Sequence, residues 1–388
     1  MRHLGKYLIN VPLLLATLLA GSAAFGAIPN DPEYLKQWSL QFSQNLSLGN
    51  NWDIGDLNSE SPQHGNSEVV VAILDSGVDY NHEDLKQSMW INQAELNGQD
   101  NVDDDNNGCV DDIFGCDLRS GVKEKIGYYP GLGGAYYRNA RFMHADGIGH
   151  GSMVAGIIGA SANNGVGIAG ISWNVKIMSV KVIYPYNVTD MTDVARGIHY
   201  AVDNGARIIN ISFGRSRIKS EELLALNEAL DYAQAASVLV IAAAGNSGSR
   251  LDNEHNFYPA GLTHDNIISV TAIDQSGQLW AAANRGAEMV DVAAPGVAIY
   301  STVPVGPASL FRKYYDQSGY QLCEGTSVAT PFVSGVAALI YSHYPNFDYH
   351  KVKQIILDSV DKSPQLEADL RSGGKVNLYK AIKMALNH

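Results

Sequence analysis

Three residues of this 388-residue chain, Asp75, His150 and Ser327, have the side chains needed to make a hydroxyl attack a carbonyl. A serine hydroxyl is a poor nucleophile at neutral pH, so an imidazole must accept its proton during attack. A buried carboxylate must then fix the imidazole tautomer and steady the imidazolium. His150 stands between two glycines in Gly149-His-Gly-Ser-Met-Val-Ala-Gly156, ahead of a small-residue run with helical character. Singly, each residue has a plainer explanation: a histidine at a helix start is an ordinary surface residue, and aspartate or serine there is a good cap. What matters is where the elements place them together.

Residues 68–74 and 175–182 are dense in β-branched side chains and lack the alternation of a half-exposed strand, so both are predicted to be buried parallel strands. Residues 150–160 and 192–204 are predicted helices, the second closed by Gly205. A strand over 207–212, a helix over 220–236, strands over 238–244 and 267–273 and a helix over 327–344 follow. Ser220-Glu-Glu222 puts acidic charge where a helix dipole favours it. Alternation of this kind predicts a mostly parallel sheet covered by helices on both faces. Catalytic side chains in such a sheet collect at the carboxyl ends of strands and the amino ends of helices. Asp75 ends a strand, while His150 and Ser327 each open a helix. No internal repeat and no long Pro- or Ser-rich linker divides the chain.

The formal net charge of −13 argues against nucleic acid or an anionic membrane as the main partner. Arg2 and Lys6, the apolar run 11–20 and the small residues Ser22-Ala-Ala24 read as a signal peptide. The run is short for a membrane span of about 20 residues. Cleavage is expected near residues 24–27, with an uncleaved anchor as the alternative. Export makes the cysteines informative: Cys109 and Cys116 could pair within a turn-rich acidic loop, leaving Cys323 as a single thiol.

The order Asp, His, Ser along the chain is that of subtilisin, and differs from that of chymotrypsin and the α/β-hydrolases. The sequence resembles the subtilases in five segments: VAILDSGVDYNHEDL around Asp75, GHGSMVAG around His150, IINISFG around Ser212, VIAAAGNSG around Asn246 and GTSVATPFVSGVAAL around Ser327. AAPGVAIYST at residues 293–302 is a sixth. The resemblance implies a three-layer subtilisin-like α/β fold, with a signal peptide over residues 1–26 and a peptidase domain over 27–388. It implies an exported, monomeric serine endopeptidase acting on proteins or peptides. Asp75 would orient His150, His150 would be general base and acid, Ser327 the nucleophile, and Asn246 an oxyanion-hole donor. A donor of that kind is worth about 100- to 1,000-fold in kcat, a magnitude that belongs to subtilisin itself. Ser212, Phe213 and Gly214 match the edge that pairs with an extended substrate, and Ala243, Ala244 and Gly245 the other wall of the primary pocket. Those small residues leave room for a sizeable apolar P1 side chain.

The resemblance also implies structural calcium. Residues 163–170 match a subtilase calcium loop, with Asp84 as partner carboxylate, Asn164 offering a side-chain oxygen and Val166 and Ile168 backbone carbonyls; a plain loop is the alternative. Asp103, Asp105, Asn107 and Asp111 have EF-hand-like odd-position spacing in a run of six aspartates, yet Phe114 stands where the bidentate acid is expected. A solvated acidic loop is the alternative there. Met153 stands where the family commonly has a second histidine, Ser152 where it has threonine, and Phe332 where histidine often follows Thr-Pro. Cys323, four positions before Ser327, is read as a buried inert thiol before a reactive one. Pro29 to Trp38 already resembles the start of a mature subtilase, which leaves little room for a propeptide and suggests a separately encoded inhibitor or chaperone. A catalytically silent subtilase-fold binding protein is the rival reading, but none of Asp75, His150, Ser327 and Asn246 is lost. An esterase is disfavoured by the chain order and by the lack of a G-x-S-x-G elbow around Ser327.

Overall fold

A computed structural model describes residues 29–40, 68–119, 146, 148–184, 189–252, 255–305 and 315–387. The signal-peptide reading falls on residues outside that set. The described chain builds one eight-stranded sheet in the order β2-β1-β3-β4-β5-β6-β10-β9. Its strands are β1 (Val69–Asp75), β2 (Val175–Lys181), β3 (Ile208–Ile211), β4 (Leu239–Ala243), β5 (Ile267–Ile273) and β6 (Val292–Pro295). These six run parallel, as their mainly apolar sequences without the alternation of a half-exposed strand predict. The sheet then closes with β9 (Asp361–Lys362) and β10 (Gly374–Lys375), which pair antiparallel to each other. Strands β7 (Ile299–Thr302) and β8 (Tyr320–Cys323) form a separate antiparallel pair.

Helices cover both faces, as expected of three layers. In chain order they are α1 (Gln93–Asn97), α2 (His150–Gly159), α3 (Met191–Asp203), α4 (Ser220–Ala235), α5 (Thr326–His343), α6 (Tyr349–Asp358), α7 (Pro364–Glu367) and α8 (Leu378–Ala385). Because side chains alternate along a strand, Val71 and Ile73 of β1 face one layer and Ala72 and Leu74 the other. The first layer packs α2, α5, α6 and α8 on the sheet. The second packs α3 and α4. Gly205 has φ +81°, the left-handed geometry that lets the chain turn out of α3 into β3.

Sheet and helix layer enclose helix α5, and Ser327 near its start is the one residue of the helix that is not buried. It is keyed to the sheet by a buried polar link: Ser334 Oγ donates to Asn210 Oδ1 (2.8 Å), and Asn210 Nδ2 donates to Ser212 Oγ (2.9 Å). Buried polar atoms that are paired in this way specify register without an unsatisfied group. The disulfide Cys109–Cys116 is formed, with Cα atoms 6.0 Å apart. Among the described residues no helix is long and apolar enough to cross a membrane.

Phe332 is 1% exposed within the α5 core, consistent with a packing role. Phe332→Ala should therefore cost about 3–5 kcal/mol of unfolding free energy, read from denaturant titration. A loss below about 1 kcal/mol would show that α5 is not anchored there.

Candidate active site

The carboxyl edge of the parallel sheet gathers the residues singled out in the sequence. Asp75, the last residue of β1, is fully buried and accepts from Ser76 N (2.7 Å). His150 opens α2 and places Nδ1 2.8 Å and 2.9 Å from the two Asp75 carboxylate oxygens. This close approach explains the glycine after the histidine. A Cβ on Gly151 would lie 2.0 Å from Gly77 O and 3.2 Å from Asp75 Cβ, so only glycine lets α2 reach the strand end. Burial alone pushes the imidazole pKa down; the charge and hydrogen bond of Asp75 and the charge of Asp146 outweigh it and hold His150 above its ordinary value. Its side chain keeps 29% exposure, so the ring is open to a proton donor on the cleft side.

Asp146 was not singled out in the sequence, since an aspartate four positions before a histidine has no distinguishing pattern. It is 1% exposed. Its Oδ1 accepts from Ser76 Oγ (2.9 Å), Ile148 N (2.9 Å) and Gly149 N (2.6 Å). Its Oδ2 accepts from Ser152 N (2.9 Å) and Ser152 Oγ (2.8 Å). Burial pushes this carboxyl up, and the same donors pull it back. One carboxylate thus ties the turn after Asp75 to the first turn of α2. Ser152, where threonine is the common residue, also accepts from Asp79 N (2.9 Å). Met153 is half-buried, and its backbone carbonyl accepts from Ser301 Oγ (2.7 Å).

A second cluster forms where α5 begins. Asn246 Oδ1 accepts from Thr326 N (2.9 Å) and Thr326 Oγ1 (2.8 Å), which turns Asn246 Nδ2 outward. Thr326 Oγ1 in turn accepts from Gly245 N (3.1 Å). A Cβ on Gly325 would lie 3.0 Å from Ser327 Oγ and 3.1 Å from Asn246 Nδ2, so hydroxyl and amide flank one small space. Gly325 has φ +137°, in a region that a side chain also disfavours. Such a space can hold a carbonyl carbon beside the hydroxyl and its oxygen beside the amide. Ser212 is buried, Phe213 and Gly214 are half-buried beyond β3, and Ala243, Ala244 and Gly245 are buried at the end of β4.

Of the two expected metal loops, the first assembles with its donors turned inward. Asp84 is fully buried and pushed up to about 7 by burial. Its oxygens accept from Asn164 Nδ2 (2.8 Å) and Ile168 N (2.8 Å), while Asn164 Oδ1 accepts from Val166 N (2.7 Å). Ile168 therefore presents its N–H to Asp84, and the Asn164 oxygen expected as a ligand is taken within the loop. Asp31, not singled out in the sequence, accepts from Asn163 N (2.8 Å) and Asn164 N (3.2 Å) on the other side. The second loop fits a cation better. Carboxylate oxygens of Glu95, Asp103 and Asp105 lie within 4.8 Å of one another. Glu95, on α1 and 1% exposed, supplies from outside the loop the acid that Phe114 does not. Asn107 N donates to Asp103 (3.1 Å) and Asp105 (3.1 Å), and Asp111 is buried with its N–H on Glu95 Oε2 (2.9 Å). Cys323 is half-buried, donates to Ile299 O (3.1 Å) and has its thiol pushed up to about 12 by burial, which keeps it protonated.

Comparison with known proteins places the chain among proteases. The chain is 28% identical to subtilisin-like protease 1 of Plasmodium vivax in an alignment covering 95% of this chain and 54% of that one. It is 36% identical to subtilisin DY of Bacillus licheniformis over 57% of this chain and 74% of that one. It thus spans about half the length of the Plasmodium relatives it matches. A protease of Pseudoalteromonas arctica superposes with a TM-score of 0.68 at 25% identity, covering 92% of this chain and all of that one. The subtilase family profile matches residues 66–375, a span that holds both clusters at the sheet edge, and the chain belongs to the subtilase family.

Proposed function

We propose that this protein is an exported serine endopeptidase that cleaves protein or peptide substrates through an acyl-enzyme. The observation that carries the reading is the pairing of His150 Nδ1 with both oxygens of a fully buried Asp75, at the same sheet edge where Ser327 Oγ and Asn246 Nδ2 flank one space. Ser327 attacks the scissile carbonyl and passes its proton to His150 Nε2. Asp75 holds the imidazole in the tautomer that leaves Nε2 free to accept, and steadies the imidazolium that forms. The oxyanion is met by Asn246 Nδ2 and by the N–H of Ser327, one of the unpaired donors at the start of α5. His150 then gives its proton to the leaving amine, and water repeats the sequence on the ester. The segment 212–214 receives the substrate backbone as an added strand.

Calcium is assigned a structural part, held by Glu95, Asp103 and Asp105, with Asn107 and Asp111 ordering the loop. A divalent ion there offsets the mutual repulsion of the carboxylates and takes no part in the chemistry. Asp84, Asn164, Val166 and Ile168 make a weaker site unless the Asn164 amide turns over. The protein is read as a secreted or periplasmic monomer.

A fluorophosphonate should label the protein in proportion to active enzyme, and Ser327→Ala should remove the label along with nearly all hydrolysis. Label that persists in Ser327→Ala would assign the nucleophile elsewhere. Excess EDTA should lower the melting temperature, and Glu95→Gln should shrink that drop. An unchanged melting temperature on chelation contradicts the calcium assignment.

A further inference from the structure

Gly214 and Gly245 follow the carboxyl ends of the adjacent strands β3 and β4, beside Asn246. In the peptidase reading, these glycines belong to the two walls between which a substrate side chain next to Ser327 would enter. Phe257 occupies that gap. A Cβ on Gly214 would lie 2.4 Å from Phe257 Cε1 and 2.8 Å from Cδ1. A Cβ on Gly245 would lie 2.9 Å from Phe257 Cζ and 3.0 Å from Cε1. One edge of one ring therefore abuts both walls, and carbon atoms need about 3.5–4.0 Å of separation.

The ring is held there. Arg215 and Tyr258 exchange two backbone hydrogen bonds (3.0 and 2.9 Å), which fixes the chain directly after Phe257, whose ring reaches Gly214. Asn256 Oδ1 accepts from Phe257 N (2.7 Å), and Phe257 O accepts from Gly261 N (2.8 Å). The side chain packs on the core group that includes Ala244 and Leu251. On the far side, Arg215 is fixed by Glu222 Oε1 (2.8 Å) and Thr189 O (3.0 Å). Swinging the ring out would break this packing.

We propose that Phe257 fills the primary side-chain pocket and restricts cleavage to bonds that follow small residues, namely glycine, alanine and serine. This corrects the expectation of a roomy apolar pocket, which rested on the small residues of the walls alone. The inference depends on the peptidase reading and names the substrate class of that same site. One methylene too many in a closed pocket is worth about 10- to 200-fold in kcat/KM, so leucine and phenylalanine at P1 are strongly disfavoured.

The test is a set of quenched peptides of one sequence varied only at P1 through Gly, Ala, Ser, Leu and Phe, with Ser327→Ala as background. The full chain should cleave after Ala at least about 10-fold faster than after Leu or Phe. Phe257→Gly should raise the Phe-to-Ala ratio of kcat/KM at least about 10-fold, and Phe257→Leu should raise it less. If Phe257→Gly does not fold, the wild-type profile and Phe257→Leu decide. Ser327-dependent cleavage after Leu or Phe as fast as after Ala overturns the pocket assignment and leaves the peptidase reading standing. So does a ratio that stays unchanged in folded Phe257 variants. No Ser327-dependent cleavage of any peptide overturns both.

Discussion

The structure depends on one hydrogen-bonded pair, Asp75 with His150, at the end of β1. Asp75 has no contact with water, and a carboxylate in that position is costly unless donors replace the lost hydration. Two groups do so: the backbone N–H of Ser76 and the imidazole of His150, which spans both oxygens. The arrangement constrains much around it. The strand must end at Asp75, α2 must begin at His150, and Gly151 must stay bare so that helix and strand end can meet. Pairing also decides the sign of the imidazole shift, since burial alone would lower it.

A second shared feature is the use of hydrogen-bonded polar groups to fix parts of the edge. Asp146 joins the turn after β1 to the first turn of α2 through Ser76 and Ser152. Thr326 performs the same service for Gly245 and Asn246, so that the amide nitrogen is aimed and not left to rotate. Ser334 and Asn210 set the register of α5 against β3. Each device fixes a side chain or an element at the sheet edge, the kind of order that preorganised catalysis requires. Phe257 belongs to the same economy of space: its ring is fixed by backbone pairing and turns two permissive walls into a narrow site.

Much of this was legible in the sequence, for identifiable reasons. Strands such as Val69–Asp75 and Leu239–Ala243 are short, dense apolar runs, so their type and approximate bounds follow from composition. The two-residue strands β9 and β10 carry no period and could not be read. The final helices were missed although Asp348 and Asn377 cap α6 and α8 by accepting from Lys351 N and Lys380 N, a signal that was available. Asp75, His150, Ser327 and Asn246 stood out because chemistry restricts their types. Asp146, Phe257 and Glu95 did not, because each acts through contacts with residues distant in sequence or through burial that no local pattern shows. The first metal loop shows the converse limit: its residues assemble as read, but the direction of an amide and an N–H decides what they can bind.

The central claim is that the Asp75 carboxylate makes His150 a stronger base than its buried setting would allow. The direct measurement is the titration of the His150 ring by proton NMR in the resting protein, with the signal assigned by its loss in His150→Gln. The midpoint should lie above the ordinary value of about 6.5, because the charges of Asp75 and Asp146 outweigh burial. In Asp75→Asn the largest remaining influence is burial, so the midpoint should fall below about 6.5. A wild-type midpoint at or below that value, or one that Asp75→Asn leaves unmoved, would contradict the account.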